Sequence, residues 1–338
     1  MQPSRILVTG GAGYVGSALV PRLLELGHAV RVLDLFWYGR DVFPEVHDHP
    51  KLELIEGDIR DPDAVARAVG AGARDPVSAV IHLACISNDP SFELDPALGK
   101  GINLDAFPGL VEASLRAGVE RFIYASSSSI YGVKEQLRVD EDAVPEPLTD
   151  YSRFKLECER LLLDATRDAS MVPVIVRPAT VCGYAPRLRL DLTVNILTAH
   201  ALERGLIRVF GGRQLRPNLH IADMVAAYEL FLRAPAVQIR GEAWNVGYQN
   251  HAVGVIAEKV RDTLGGDIDI RVEPSDDLRS YHIESSKIDR VLGFRPRRTL
   301  EDAILGLTRA HRQGLLVDAL ENPKFHNIRR MQEVLGAA

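Results

Sequence analysis

The sequence RILVTGGAGYVG, residues 5–16, joins a short apolar, β-branched run to three glycines with the spacing GxxGxxG. The residues that follow are apolar on one face of a predicted helix, and Gly27 suits the C-terminal cap of that helix. A second apolar run, residues 29–33, leads to Asp34. Strand, helix and strand in this order predict a βαβ unit, which needs about thirty residues.

The same alternation of strands and helices continues along the chain. Further strands are predicted at residues 52–56, 79–83, 121–125 and 172–176, and helices at residues 62–70, 105–117 and 151–167. Strands that alternate with helices form a parallel sheet with helices on both faces. We therefore predict an α/β fold with a doubly wound parallel sheet, followed after residue 178 by a smaller and less regular C-terminal lobe.

Composition places the chain among ordinary globular proteins. Of its 338 residues 46% are hydrophobic and 25% charged, and the net charge of −6 argues against nucleic acid as a partner. Cys85, Cys158 and Cys182 are widely spaced and odd in number, so they suggest neither a disulfide framework nor a zinc site. The N-terminal apolar run is too short for a signal peptide, and no stretch reaches about 18 apolar residues. We expect a cytoplasmic protein with no membrane partner.

The glycine-rich turn has the features of a dinucleotide site. Its glycines permit, in order, a tight turn, approach of the backbone to a pyrophosphate, and close packing of helix on strand. A plain strand-to-helix turn is the alternative, but Asp34 at the end of the second strand favours a dinucleotide site. Its carboxylate can bind ribose hydroxyls and would repel the 2′-phosphate of NADP. We therefore predict NAD, although Arg40 would favour NADP. Asp58 is predicted either to bond the adenine amine or to cap the next helix.

Tyr151 and Lys155 lie one turn apart on one face of the helix predicted at residues 151–167. A tyrosine hydroxyl has a pKa of about 10, so it is a poor base unless positive charge stabilises the phenolate. Lys155 and an oxidised nicotinamide can supply that charge. The pair alone could be a surface contact, but the strand before it ends in the hydroxyl run SSSS, residues 126–129. That position favours a role in chemistry.

Six short motifs occur in a fixed order: GGAGYVG at residues 10–16, Asp34, GDIRD at residues 57–61, HLA at residues 82–84, SSSSIYG at residues 126–132 and YSRFK at residues 151–155. In this order and separation they resemble the extended short-chain dehydrogenase/reductase superfamily, specifically its NAD-dependent nucleotide-sugar epimerases and dehydratases. The resemblance covers nearly the whole chain. It implies an NAD-binding Rossmann domain of residues 1–178 and 219–247, and a nucleotide-sugar lobe of residues 179–218 and 248–330.

The resemblance also implies a mechanism. Tyr151 takes the proton of a sugar hydroxyl while NAD accepts the hydride, Ser127 hydrogen-bonds the same oxygen, and Lys155 holds the nicotinamide ribose and lowers the pKa of the tyrosine. The implied NAD contacts, besides Tyr151 and Lys155, are Gly10, Gly13, Tyr14, Val15, Gly16, Asp34, Asp58, Ile59, Leu83, Ala84, Asn103 and Pro178. Asn103 would also be unremarkable as a helix cap.

Two neighbours of Ser127 bear on the reaction. In the related 4,6-dehydratases an Asp and a Glu transfer protons during water loss, and their positions are occupied here by Ser128 and Ser129. Serines there favour an enzyme that only moves hydride, which we expect to be a C4 epimerase of nucleoside-diphosphate sugars. A 4-dehydrogenase or a keto-sugar reductase would use the same residues and is the alternative. A protein that only senses NAD would be expected to lose Tyr151, Lys155 or Ser127.

The substrate contacts implied by the resemblance are Ser128, Thr180, Asn195, Arg216 and Arg279. Thr180 replaces an asparagine that is common in galactose epimerases. The two arginines suit a diphosphate, because guanidinium groups bind phosphate oxygens directionally. Arg187 and Arg189 are either substrate ligands or solvated loop charges.

Two further expectations concern metals and assembly. His82 follows a strand but has no second ligand at metal spacing, so it is predicted to be structural and no metal site is expected. The resemblance implies a homodimer formed by the helices near residues 105–117 and 151–167.

Overall fold

The computed structural model describes residues 4–70, 76–134, 136, 138–275 and 280–336. Its core is a seven-stranded sheet in which all neighbouring strands are parallel. Ile6 and Val8 belong to one buried apolar cluster and Leu7 to another, so alternate side chains of the first strand face two covered sides of the sheet. The predicted doubly wound α/β fold is confirmed.

The strands, in chain order, are β1 (Arg5–Thr9), β2 (Ala29–Asp34), β3 (Leu52–Glu56), β4 (Ala79–His82), β5 (Arg121–Ala125), β6 (Val172–Pro178), β7 (Thr180–Cys182), β8 (Leu206–Phe210), β9 (Leu215–His220), β10 (Ala243–Val246), β11 (Gln249–Ala252) and β12 (Asp269–Glu273). The helices are α1 (Tyr14–Glu25), α2 (Pro62–Val69), α3 (Asp89–Leu94), α4 (Pro96–Lys100), α5 (Phe107–Arg116), α6 (Asp150–Thr166), α7 (Thr193–Arg204), α8 (Ile221–Arg233), α9 (Ala236–Ile239), α10 (Val253–Leu264), α11 (Ser286–Leu292), α12 (Leu300–Arg312) and α13 (Asn327–Val334). Within the described ranges, none of these helices combines the length and apolar character that crossing a bilayer requires.

The order of strands in the large sheet places a crevice beside β1. The order is β10-β6-β5-β4-β1-β2-β3. From β1 the chain builds outward through β2 and β3, and then returns to the other side of β1 with β4. Thr9, the last residue of β1, is in register with Leu33 of β2 and His82 of β4, so the loops after these strands begin side by side. In open α/β sheets, ligands bind at such a reversal, outside the carboxyl ends of the strands.

Two glycines keep the turn between β1 and α1 compact. Gly10 has a φ of 70°, and a Cβ there would lie 2.5 Å from backbone atoms of Ala84. A Cβ on Gly16 would lie 2.3 Å from the carbonyl oxygen of Gly11. Neither position has room for a side chain, so α1 begins directly against the sheet.

After β6 the chain builds a smaller lobe. A three-stranded sheet, ordered β11-β9-β7, and a two-stranded parallel sheet of β12 and β8 lie in this part of the chain. Helices α7, α10 and α12 pack together there around buried side chains that include Ile207, Ile256 and Ile304. The chain returns once to the large sheet, because β10 pairs with β6.

The helix predicted at residues 105–117 corresponds to α5, but the chain before it contains helical turns that were not predicted. Helices α3 and α4 and a π-helical turn, Gly101–Asp105, precede α5, which begins at Phe107. Asn88 caps α3 by accepting a hydrogen bond from the backbone of Ser91 at 2.8 Å, and Asp95 caps α4 in the same way. Each short helix also has proline in its first turn. The starts of α3 and α4 are thus marked by capping residues and proline, and not by the spacing of apolar residues.

Candidate active site

A cavity of about 640 Å³ lies at the carboxyl ends of the large sheet. This volume is within the range of roughly 300–1,000 Å³ that is typical of small-molecule sites. Most of the predicted site residues line it: Gly10, Gly13, Tyr14, Val15, Gly16, Asp34, Asp58, Ile59, Leu83, Ala84, Ser127, Ser128, Tyr151, Lys155, Pro178, Thr180 and Arg216. The fold thus collects at one place residues that are dispersed over two thirds of the sequence.

Helix α1 begins at this cavity without a side-chain cap. Its N-cap residue is Gly13, and no acidic residue lies in its first turn. The first N–H groups of a helix have no partner within the helix, and they carry the positive end of its dipole. Because Gly13, Tyr14 and Val15 line the cavity, their donors suit the phosphate oxygens of a dinucleotide.

Asp34 is held at the end of β2 by backbone donors. Its carboxylate accepts hydrogen bonds from the N–H groups of Ala12, at 2.9 Å, and Phe36, at 2.8 Å. Burial raises the pKa of Asp34, and these hydrogen bonds and the charge of Arg187 oppose the rise. Phe36 has a φ of 52°, a left-handed conformation that is uncommon outside glycine. The turn after β2 therefore accepts backbone strain and presents the carboxylate to the cavity, as a ribose site requires.

Arg40 and Asp58, for which the sequence allows two interpretations each, have defined partners. Arg40 forms an exposed ion pair with the last residue of β3. Asp58 accepts a hydrogen bond from the backbone of Arg60 at 2.8 Å and pairs with its guanidinium at 2.6 Å. The N-cap of α2 is Asp61, whose carboxylate accepts from the backbone of the second residue after it. Asp58 is therefore not the cap, and it lines the cavity.

Tyr151 and Lys155 lie in the first turns of α6, which a capping box formed by Thr149 and Ser152 fixes in place. Lys155 Nζ donates to the carbonyl oxygen of Ala125 at 2.7 Å. The same atom lies 5.8 Å from the ring centre of Tyr151. The i, i+4 pair predicted from the sequence is thus anchored on the carboxyl end of β5.

The environment of Tyr151 disfavours its phenolate in the chain alone. Burial raises the pKa of Tyr151 above its usual range, and nearby Cys85 and Asp89 raise it further. The charge of Arg189 and a hydrogen bond with Ser127 lower the pKa, but they do not cancel the effect of burial. Positive charge from a bound group would lower the pKa of Tyr151 and favour its phenolate.

The serines after β5 have different environments. Ser126 is buried, and its Oγ donates to Glu159 at 2.5 Å. Ser127 is half-buried, and its Oγ accepts from the backbone N–H of Ser129 at 3.1 Å. Ser127 Oγ also lies 2.8 Å from Ser129 Oγ, and Ser127 is close enough to Tyr151 to lower the pKa of that residue. These contacts favour Ser127 as the hydroxyl that meets a substrate.

Beneath the serine run lies a buried ion pair between Glu159 of α6 and Arg177 of β6. Arg177 donates from Nη2 at 2.7 Å and from Nε at 3.0 Å, and the two side chains are only 4% and 9% exposed. Arg177 also donates to the hydroxyl of Tyr131 at 2.8 Å, and that hydroxyl donates to Asn245 of β10 at 2.8 Å. Burial disfavours the guanidinium, but Glu159 holds the pKa of Arg177 above its usual range. The network joins α6, β6, β10 and the serine run.

Asn103 and Asn195 are site residues predicted from the resemblance that do not line the cavity. Asn103 accepts from the backbone N–H of Ile86 at 2.8 Å and donates to its carbonyl oxygen at 3.0 Å. Asn195 accepts from the N–H of Gly183 at 2.9 Å and donates to the carbonyl oxygen of Arg189 at 2.9 Å. Ile86 and Arg189 do line the cavity. The two amides therefore hold the backbone of cavity residues and do not face the cavity themselves.

Three arginine side chains, Arg187, Arg189 and Arg216, line the cavity. Arg187 is 2% exposed and Arg189 is half-buried, so neither is a solvated loop charge. The guanidinium of Arg216 lies 5.2 Å from the ring centre of Tyr281, which also lines the cavity. Arg279, the second predicted phosphate ligand, lies outside the described residues. The positive charges of arginines in the cavity suit the phosphate oxygens of a bound ligand.

His82 is buried among aromatic side chains at the end of β4. Its Nδ1 lies 2.7 Å from the hydroxyl of Thr9, and its ring stacks on that of Tyr124. Burial and the charge of Lys155 lower the pKa of His82 to about 3. Across the residues that the structure describes, no group of histidine, cysteine and acidic side chains is arranged to hold a metal ion.

Sequence reasoning does not identify two groups of cavity residues. Ser87, Asn88 and Asp89, which follow β4, line the cavity. They come soon after the HLA motif at the carboxyl end of a parallel strand, and that position could have predicted them as site residues. Ile328 and Met331 of α13 also line it. No motif accompanies these two residues, and only the folded chain brings them to the site.

Comparison with known proteins relates most of the chain to NAD-dependent epimerases and dehydratases. The family model described as "NAD dependent epimerase/dehydratase family" matches residues 6–247. A UDP-glucose 4-epimerase from Lactobacillus helveticus is 26% identical over 324 residues, which cover 89% of this chain and 94% of the relative.

Two solved structures show the same similarity. A UDP-glucuronic acid 4-epimerase from Bacillus cereus, in complex with UDP-glucuronic acid and NAD, is 25% identical with a TM-score of 0.81, over 91% of this chain and 99% of its own. A dTDP-glucose 4,6-dehydratase from Streptomyces venezuelae, with NAD bound, is 25% identical with a TM-score of 0.82, over 95% of this chain and 99% of its own. The similarity therefore extends to epimerases and dehydratases alike.

Proposed function

We propose that this chain, which belongs to the NAD-dependent epimerase/dehydratase family, epimerises a nucleoside-diphosphate sugar at C4. Its cofactor is NAD, on which the family depends. The observation that carries the choice of reaction is the serine run, since Ser128 and Ser129 place no carboxylate beside Ser127. Loss of water from a keto sugar needs an acid and a base, whereas epimerisation needs only hydride and proton transfer at one carbon.

The cavity residues fit NAD. The uncapped amino end of α1 at Gly13 suits the pyrophosphate, and the buried carboxylate of Asp34 suits the adenosine ribose. Pro178 ends β6, and Lys155 of α6 is bonded to the last residue of β5. Both are proposed to border the nicotinamide half. Bound NAD would supply the hydride acceptor and donor that oxidation and reduction at C4 require.

The proton of the C4 hydroxyl is handled by Tyr151 and Ser127 in this proposal. Tyr151 Oη accepts the proton and later gives it back, and Ser127 Oγ holds the sugar oxygen in reach. Lys155 Nζ, fixed by the carbonyl oxygen of Ala125, adds positive charge 5.8 Å from the tyrosine ring. That charge and the bound nicotinamide favour the phenolate, which burial alone disfavours.

The lobe side of the cavity is proposed to bind the nucleoside diphosphate. Arg216 and Arg189 supply guanidinium donors for the phosphate oxygens, and Thr180 and Ser128 contact the sugar. The Bacillus cereus relative supports this class of substrate, because it was solved with UDP-glucuronic acid.

Asp89 favours a second candidate function, that of a 4,6-dehydratase. Its carboxylate lines the same cavity and raises the pKa of Tyr151, so an acidic group lies near the reacting hydroxyl. It comes from the loop after β4 and not from the serine run. A 4-dehydrogenase or a keto-sugar reductase would use Ser127, Tyr151 and Lys155 as the epimerase does.

Incubation of the purified protein and NAD with UDP-, dTDP-, GDP- and CDP-sugars tests the proposed reaction. We expect one sugar to give its C4 epimer, of unchanged mass and identified by NMR, with no accumulation of NADH. A product lighter by one water would identify the dehydratase, and stoichiometric NADH would identify the dehydrogenase. If no sugar changes mass or stereochemistry, while a mixture containing a known epimerase does convert its substrate, the proposed function is wrong.

Ser127→Ala is expected to lower kcat by about 10²-fold, because the sugar oxygen loses a positioned hydrogen bond in the transition state. Ser128→Ala should change kcat by less than about tenfold, since the neighbouring hydroxyl has no assigned part in proton transfer. Ser127→Thr keeps a hydroxyl and should recover most of the activity, which separates chemistry from the turn that Ser127 also caps. A silent Ser127→Ala variant combined with an inactive Ser128→Ala variant would assign the role to the other serine.

A further inference from the structure

The last helix reaches the cavity from a part of the chain that the matched family model does not cover. We call residues 323–334 the C-terminal segment, which consists of a 3-10 turn, Pro323–Phe325, and α13. The family match ends at residue 247. Asn327, Ile328 and Met331 of the segment line the cavity, so they lie beside its ligand.

Asn327 joins two of the loops that form the cavity wall. It is buried, and its backbone N–H donates to Asp191 Oδ2 at 2.9 Å. Its Nδ2 donates to the hydroxyl of Ser87 at 3.1 Å, and its Oδ1 accepts a hydrogen bond from the guanidinium of Arg187. Ser87 follows β4, whereas Arg187 and Asp191 follow β7, so one residue fixes two loops that are remote in sequence.

The C-terminal segment also contacts the loop after β2. Arg330 Nε donates to the carbonyl oxygen of Trp37 at 2.5 Å. Lys324 Nζ forms an ion pair with Asp41 at 2.7 Å. Trp37 lines the cavity. Three loops around the ligand site are therefore held by one short stretch of chain.

The position of Met331 identifies the half of the dinucleotide that the segment meets. Met331 is 2% exposed and belongs to the same buried apolar cluster as Leu33 of β2 and Ile59 after β3. In doubly wound folds, the adenosine half of a dinucleotide lies at the ends of the first strands, where the acidic residue of the second strand binds its ribose. Arg330 of the same helix is bonded to Trp37 in the loop after β2, so α13 lies on the adenosine side.

Arg187 adds a polar donor on the same side. Its guanidinium stacks 3.6 Å from the ring centre of Tyr38 and is oriented by Asn327. Its Nε is buried and has no hydrogen-bond partner among the described residues. A buried donor without a partner costs free energy, and an oxygen of a bound ligand would satisfy it.

We propose that the C-terminal segment completes the adenosine subsite for NAD. Ile328 and Met331 contact the adenosine, and Asn327 positions Arg187 and the loop of Ser87 around it. By holding three loops at once, the segment slows the release of NAD. The inference rests on NAD as the cofactor of the proposed function, but not on the reaction at C4.

Binding of NAD to the full-length protein, freed of nucleotide, tests this proposal. Asn327→Ala and Ile328→Ala are each expected to weaken NAD binding on the order of tenfold by isothermal titration calorimetry, and to speed the displacement of radiolabelled NAD by unlabelled NAD. ADP-ribose should lose affinity to the same extent, whereas nicotinamide mononucleotide and UDP should bind as they do to the unaltered protein. Arg329→Ala is the matched control on α13, because its exposed side chain contacts Leu320 and Glu321 away from the cavity.

NAD affinity within about twofold of the original in both variants, at an unchanged melting temperature, would overturn the proposal. Equal losses for nicotinamide mononucleotide and ADP-ribose would overturn the assignment to adenosine. If Asn327→Ala does not fold, Ile328→Ala still tests the proposal. Ile328 is only half-buried, so its replacement should not prevent folding. The readout needs no substrate, so weakened NAD binding in a protein that epimerises no sugar would refute the proposed reaction and leave the adenosine subsite standing.

Discussion

Tyr151→Phe is expected to lower kcat by about 10²- to 10⁴-fold, the range that a positioned acid or base contributes, and to leave NAD binding unchanged. The ring and its packing remain, and only the hydroxyl that exchanges the proton is lost. Burial raises the pKa of Tyr151, so a rising pH should favour the active phenolate, and kcat of the unaltered enzyme should increase with pH. The residual activity of the phenylalanine variant should lack that increase. Steady-state kinetics over a pH series measures both effects.

Tyr124→Phe is the matched control for this prediction. Tyr124 is buried beside the same lysine and does not line the cavity. Its hydroxyl contacts the carbonyl oxygen of Lys155, at 3.4 Å, and the side chain of Cys158. Its removal should leave kcat and the pH profile close to those of the unaltered enzyme. Similar losses of kcat in the two variants would show that the effect is structural. A Tyr151→Phe variant that keeps most of its kcat would show that Tyr151 is not the base.

Glu159→Ala is expected to lower the free energy of unfolding by about 3–5 kcal/mol, because it leaves the buried guanidinium of Arg177 without its counter-charge. The side chain of Glu159 is only 4% exposed, and it also accepts the hydrogen bond of Ser126. The same change should therefore disturb the start of the serine run and lower kcat. Urea unfolding monitored by circular dichroism measures the loss of stability.

Glu157→Ala provides the comparison on the same helix. Glu157 pairs with Arg160 at 3.3 Å, and both side chains are well exposed. Exposed ion pairs contribute about 0–1 kcal/mol. The free energy of unfolding of this variant should therefore be close to that of the unaltered protein. If Glu159→Ala were no more destabilising than Glu157→Ala, the buried pair would not be the support of the serine run that its geometry indicates.

The fold and the cofactor end of the site are the parts that sequence reasoning predicts best. Alternating apolar segments define the strands and helices locally, and the glycine spacing around Gly10 and Gly16 reports a close approach that a side chain would block. Asp34 and the pair of Tyr151 and Lys155 follow from their places at strand and helix ends. Each of these inferences needs only residues that are near one another in sequence.

The remaining contacts depend on residues that meet only in the folded chain. Asn103 looks like a cofactor ligand in its motif, but its amide is paired with the backbone of Ile86, 17 residues earlier in the chain. Asn327 pairs with Arg187, 140 residues away. No local pattern reports such partners, because hydrogen bonds of this kind are selected by the packing of whole elements. The domain boundaries, the homodimer and the role of Arg279 stay predictions.

The return of β10 to the large sheet has a consequence for the growing chain on the ribosome. β6 is complete at residue 178, but the strand that covers its outer edge is Ala243–Val246. Until those residues emerge, the nascent sheet ends in an apolar strand whose backbone N–H and C=O groups have no partner on one side, and such edges invite pairing with other chains. Because domains form during synthesis at roughly 5–20 residues per second, this open edge persists for several seconds. Chaperone contact during translation should therefore be concentrated in the interval between β6 and β10.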